Sequence, residues 1–145
     1  MIRAAAFICL ASLAMSAFAW TGCRGDRTDD AATTLLPCPD RPNCVSTEHP
    51  DPDRRPRAPR DLPLARLRTA IDAEPRSAIV AEGPNWLIAH FKSRVFGFVD
   101  EAHFIARADG TLAMRSGACR GYFDFGVNRR RLARLLASAR QTDQD

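Results

Sequence analysis

The chain has 145 residues and a formal net charge of +4, which suits one small domain with appendages and is too short for a large multi-domain enzyme. Ten prolines exclude a long coiled coil, and an apolar content of 46% with modest charge excludes wholesale disorder. Twenty arginines stand against a single lysine, Lys92. A GC-rich coding sequence accounts for that bias as well as anion recognition does.

Arg3 and the apolar run from Ala4 to Trp20 have the layout of an export signal, and the run is too short for a comfortable membrane span. Two processing routes stay open. Ala17-Phe18-Ala19 fits the A-x-A rule for release of a soluble protein. Trp20-Thr21-Gly22-Cys23 is similar to a lipobox, with Cys23 lipidated and first in the mature chain, although Trp20 stands where leucine is usual. The lipidated route is favoured. Residues 1–22 are then a signal peptide, and the polar stretch 23–36 is a tether lifting the domain off the membrane. Either route exports the protein, as a lipoprotein facing the periplasm or as a soluble periplasmic chain.

Cys9 leaves with the signal, so Cys23, Cys38, Cys44 and Cys119 remain. If Cys23 carries lipid, Cys38 and Cys44 can pair and Cys119 is an odd thiol; otherwise two bridges can form. Five residues separate Cys38 from Cys44, wider than a zinc half-site, and Pro39 and Pro42 bend the chain between them. A Cys38–Cys44 disulfide is expected in an oxidising compartment. Residues 37–60 hold seven prolines and read as an extended arm, ordered where the cysteine loop docks. The mixed charges from Asp51 to Arg60 lack interleaved aromatics, so no nucleic-acid partner is expected.

The compact domain is expected over 61–140. Asp61 is a candidate cap for a helix carrying Leu64, Leu67 and Ile71 on one face, which Pro75 ends. Ser77 to Glu82, Trp86 to Phe91 and Glu101 to Arg107 read as strands, with Arg94 to Val99 continuing the extended pattern. Asp109-Gly110 marks a hairpin into Leu112–Met114. Leu132, Leu135, Leu136 and Ala139 recur at helical spacing between Asn128, a candidate N-cap, and Arg140, leaving 141–145 as a tail. The fold class is α+β: a helix, an antiparallel meander of about four strands and a helix, with both helices on one face, preceded by the proline-rich arm and its disulfide loop.

Three segments resemble a known family. Cys38-Pro39-Asp40-Arg41-Pro42-Asn43-Cys44-Val45-Ser46-Thr47, Phe96-Gly97-Phe98-Val99-Asp100-Glu101-Ala102-His103-Phe104, and Arg115-Ser116 followed by Gly121-Tyr122-Phe123-Asp124-Phe125-Gly126-Val127-Asn128-Arg129 are similar, in order, to the motifs of domain of unknown function 1499. The resemblance implies an exported, lipidated or lumenal protein and carries no activity. His103 replaces a family glutamate, and Cys119 replaces the second arginine of the family's R-S-A-S-R.

Asp100-Glu101 could be a carboxylate pair, but neighbours in a strand point to opposite faces, so partnership with arginines is the simpler role. His90, His103, Cys119 and Asp124 show no metal-ligand spacing, and Cys119 with His103 lacks a catalytic signature; no metal, cofactor or catalytic residue is expected. The candidate ligand-binding residues are Arg115, Ser116, Tyr122, Asp124, Asn128 and Arg129, at the handover from the last strand to the last helix, where positive charge and helix N–H groups could hold an anion. Pairing of Asp124 with Arg115 or Arg129 is the structural alternative. A non-catalytic envelope module recognising a polar or anionic ligand, a lipid headgroup, a cell-wall component or an envelope protein is favoured. A purely structural accessory lipoprotein and a small enzyme stay open.

Overall fold

The computed structural model describes Cys23 and residues 30–141, so the expected signal peptide and most of the tail lie outside the described residues. The architecture is α+β. A short strand β1 (Cys44–Ser46) and a 3-10 turn (Pro52–Arg54) precede α1 (Leu64–Ala73). Then come β2 (Ser77–Gly83), β3 (Trp86–Lys92), β4 (Val99–Ala106), β5 (Leu112–Ala118) and α2 (Val127–Gln141). The five strands form one antiparallel sheet in the order β1-β5-β4-β3-β2.

Strand alternation sorts the core into two layers. Leu87, Phe91, Phe104, Leu112 and Met114 point to one face, where α1 supplies Leu67 and Ile71 and α2 supplies Leu132, Leu135 and Ala139. Trp86, Ile88, Ile105 and Ala113 point to the opposite face, away from α1 and α2. There Ala31, Leu35 and Leu36 pack against them. Burying each leucine contributes about 1.5–3 kcal/mol relative to leaving it in water. Residues 30–36, read from sequence as tether, are thus part of the fold, and the folded unit starts well before Asp61.

Other boundaries differ for identifiable reasons. The meander has a fifth strand because the arm adds β1 to the edge of β5, pairing Cys44 with Gly117 and Ser46 with Arg115. Gly117 is required there, since a Cβ would lie 2.8 Å from Cys44 Sγ. Arg54 in the arm donates to the carbonyls of Cys44 and Pro39, which secures the cysteine loop. The expected Cys38–Cys44 disulfide is formed. Arg94 to Phe98 is a loop joining β3 to β4, not extended chain. Asp61 does not cap α1; it sits at φ 55 in a turn, and Pro63 precedes the helix. Asn128 lies inside α2, and Asp124 is the residue that accepts from the N–H groups of Gly126 and Asn128 at 2.9 Å.

His103 shows how the N-terminal segment is held. It is fully buried, accepts from the Leu36 N–H at Nδ1 (3.1 Å) and donates from Nε2 to the Ala31 carbonyl (2.9 Å). Those partners demand a neutral ring with its proton on Nε2. Burial holds its pKa below the ordinary value; the Ala31 bond, Glu101 and Asp30 oppose this and Arg115 adds to it. Because the folded pKa is lowered, the unfolded chain takes up the proton first. The stability contributed is therefore whole above about pH 6.5 and is lost as pH falls below it. Hydrogen exchange at the Leu36 amide is expected to accelerate between about pH 7.5 and about pH 5.5 beyond its intrinsic pH dependence. An amide whose protection does not change across that range would contradict this docking.

Candidate functional site

Arg115 and Ser116 are neighbours in β5, so the sheet sends them to opposite faces. Ser116 faces the helices and donates to Asn128 Oδ1 at 2.6 Å. That oxygen also accepts from Arg131 Nη1 at 2.9 Å, and Arg131 Nη2 reaches Asp100 Oδ2 at 2.7 Å. Asn128 Nδ2 donates to Asp124 and to the carbonyl of Asn43, which belongs to the cysteine loop. Burial raises the Asp124 pKa, but hydrogen bonds from Asn128 and Gly126 outweigh it and hold the carboxyl below the usual range. The result is a latch of mutually bonded groups tying together β5, the start of α2 and the arm. Ser116, Asp124 and Asn128 spend their polar atoms inside it.

The other expected site residues lie elsewhere. Tyr122 is exposed and meets Phe123 edge-on at 4.8 Å. Arg129 donates to the carbonyl of Asp53 on the arm. Neither pairs with Asp124. Arg115 alone of the six lies on the sheet face away from α1 and α2, where it is buried against Glu101. Its Nη1 donates to Glu101 Oε1 at 3.3 Å and to the Glu101 carbonyl at 3.2 Å. Glu101 Oε2 lies 3.1 Å from His90 Nε2 on the directly opposite residue of β3. Asp100 and Glu101 therefore each serve an arginine, on opposite sides of the sheet.

Next to this cluster lies a cleft of about 250 Å³, lined by Arg41, Glu101, Arg115, Cys23, Cys38 and Cys119 among others. Arg41 is an exposed rim residue whose Nη1 donates to the Gly121 carbonyl at 3.4 Å. It belongs to the arm, within the family-like segment Cys38–Thr47, and is not among the six candidate ligand-binding residues. His90, Glu101 and Arg115 become one group only when the strand register is known.

Cys23 forms a disulfide with Cys119. A sulfur bonded to sulfur carries no thioether, so this pairing is exclusive with the lipidation expected at Cys23, and it removes Cys119 as an odd thiol. It also bears on the other chemistry open to these side chains. Cys23, His90 and Glu101 bring donor atoms within 4.8 Å of one another. The sulfur is not a thiolate, however, and Glu101 already pairs with Arg115. Both ring nitrogens of His103 are bonded to backbone, so it activates no cysteine.

A family model described as Protein of unknown function (DUF1499) matches residues 34–138. The chain belongs to the DUF1499 family. The DUF1499 match starts inside the N-terminal segment, before the cysteine loop, and ends in α2, so it spans the latch and every cleft-lining residue except Cys23. No curated protein and no solved structure matches the chain.

Proposed function

We propose that this chain is an exported, non-catalytic binding module that holds a small anionic or polar ligand in the cleft between the cysteine loop and the face of the sheet opposite α1 and α2. The observation that carries the reading is that Arg115, buried and held by Glu101, lines the cleft together with the exposed residue Arg41. Guanidinium groups suit carboxylate or phosphate because their N–H groups form a rigid fork. Glu101 orients one arginine and offsets part of the charge, which favours a small ligand of one or two charges over a polyanion. Two disulfides support an oxidising compartment. Use of Cys23 in one of them supports release after Ala19 over anchoring by lipid. The closed latch around Asn128 supports a second reading, a structural accessory protein with no ligand.

Calorimetric titration of the oxidised chain, starting at Trp20, with inorganic phosphate and with a small dicarboxylate separates the two. Binding of at least one probe is expected. Arg41→Ala should weaken it by roughly ten- to a hundredfold, the worth of one charge-assisted contact, while the melting temperature holds because Arg41 is exposed. Absence of binding by both probes, or binding indifferent to Arg41→Ala, would favour the structural reading.

A further inference from the structure

Seven of the eight large apolar residues exposed among the described residues occupy one end of the sheet. Val95, Phe96 and Phe98 lie in the loop between β3 and β4. Tyr122, Phe123 and Phe125 lie in the loop between β5 and α2, and Val127 begins the helix. The two loops leave the sheet side by side, since the Cys119 N–H donates to the Val99 carbonyl at 2.9 Å and Asp100 pairs with Ala118. Isolated apolar residues on a surface need no explanation, but a concentration of this kind marks an interaction surface.

The loops are built to keep these rings in solvent. Phe125 is 86% exposed and its backbone sits at φ 51, a left-handed conformation that a bulky side chain adopts only at an energetic cost. The structure holds it there through Arg130, whose Nη1 donates to the Phe125 carbonyl at 2.9 Å, and through Asp124, which takes the Gly126 N–H. Phe96, 76% exposed, stands beside Phe98 with ring centroids 5.7 Å apart. Gly97 between them takes φ 65, and the loop is closed by the Ser93 N–H on the Phe98 carbonyl and the Phe98 N–H on Ser93 Oγ.

Exposed charge on the two loops is mostly positive. Lys92, Arg94, Arg120 and Arg130 are exposed on or beside the two loops. The sequence from Ser93 to Phe98 contains no acid, and the sole acid from Cys119 to Gly126, Asp124, is bonded to the start of α2. Projecting aromatics within a cationic surround match an anionic membrane surface. The rings enter the boundary between headgroups and acyl chains while the basic side chains meet lipid phosphates.

We infer that this end of the molecule is a peripheral membrane-binding face that inserts Phe96, Phe98, Phe123 and Phe125 into the interface of an anionic bilayer. The inference does not rest on the cleft, which can bind or fail to bind a ligand independently. It is also compatible with a Cys23 that carries no lipid, because the protein itself then supplies the contact.

The test is co-sedimentation of the oxidised chain with vesicles of phosphatidylcholine alone and with added phosphatidylglycerol. Binding to the anionic vesicles is expected, weakening as salt rises. The Phe96→Ser, Phe125→Ser double variant should bind at least about tenfold more weakly with no loss of melting temperature, since both rings are exposed. Arg94→Glu should do the same. Failure to sediment with anionic vesicles would overturn the inference, as would binding unaffected by the double variant. Crosslinking of these loops to an envelope protein without vesicle binding would replace it with a protein-docking face.

Discussion

Replacing Glu101 by glutamine is expected to destabilise the protein by about 3–5 kcal/mol, because Arg115 keeps its buried charge and loses the carboxylate opposite it. The substitution leaves the shape of the side chain almost unchanged, so the loss reports charge and not a cavity. Glu101 is 2% exposed and Arg115 6%, which places the pair outside the class of surface salt bridges worth little. His90, bonded to the same carboxylate, loses a charged acceptor at the same time. Urea denaturation measures the loss. The double variant Glu101→Gln, Arg115→Met should recover much of it, since an apolar side chain no longer asks for a counter-charge. A loss below about 1 kcal/mol for Glu101→Gln would mean that the cluster behaves as solvated surface. The cleft would then lack a fixed lining at Arg115.

The second large effect concerns the Cys23–Cys119 bridge, which joins residues 96 apart. On the chain-entropy estimate, closing so long a loop stabilises by about 4–5 kcal/mol, against about 2 kcal/mol for the six-residue separation of Cys38 and Cys44. Cys119→Ser should therefore lower stability more than Cys44→Ser, and it should expose Cys23 to alkylation in the unfolded, unreduced protein. The same pair of variants decides processing. If Cys23 carried lipid, Cys119→Ser would leave the cysteine labelling of residue 23 unchanged, and the mature mass would include the acyl chains.

The strands, the two helices and their order were legible because each carries a regular apolar pattern: Leu67 and Ile71 on one helix, Leu132, Leu135 and Ala139 on the other, and an Asp109-Gly110 turn between two strands. Alternation alone also assigned Asp100 and Glu101 to opposite faces. The same rule, applied to Arg115 and Ser116, sends them to opposite faces of the sheet. What the pattern could not supply was long-range register. β1 is three residues long within a proline-rich arm, and its status as a strand comes entirely from β5. Residues 30–36 carry only Leu35 and Leu36 as large apolar groups, and what docks them lies far away in sequence: the apolar side chains of Trp86, Ile88, Ile105 and Ala113, and His103 accepting one N–H and donating to one carbonyl. Phe96 and Phe98 have strand-like composition, yet a glycine at positive φ between them turns the chain into a loop. Cysteine counting left both pairing schemes open, because Cys23 has two chemically sound fates.

A small anionic ligand is expected to bind in the cleft lined by Arg41 and Arg115, apart from the membrane-facing loops and from Tyr122, Asn128 and Arg129. Nitrogen-15 chemical shifts of the oxidised chain, recorded during titration with inorganic phosphate and with the small dicarboxylate, address it directly. Shifts concentrated on the side-chain Nε–H groups of Arg41 and Arg115 and on the amides of Cys38 and Ala118 are predicted. Shifts confined to Tyr122, Asn128 and Arg129, or no shifts with either probe, would contradict the account.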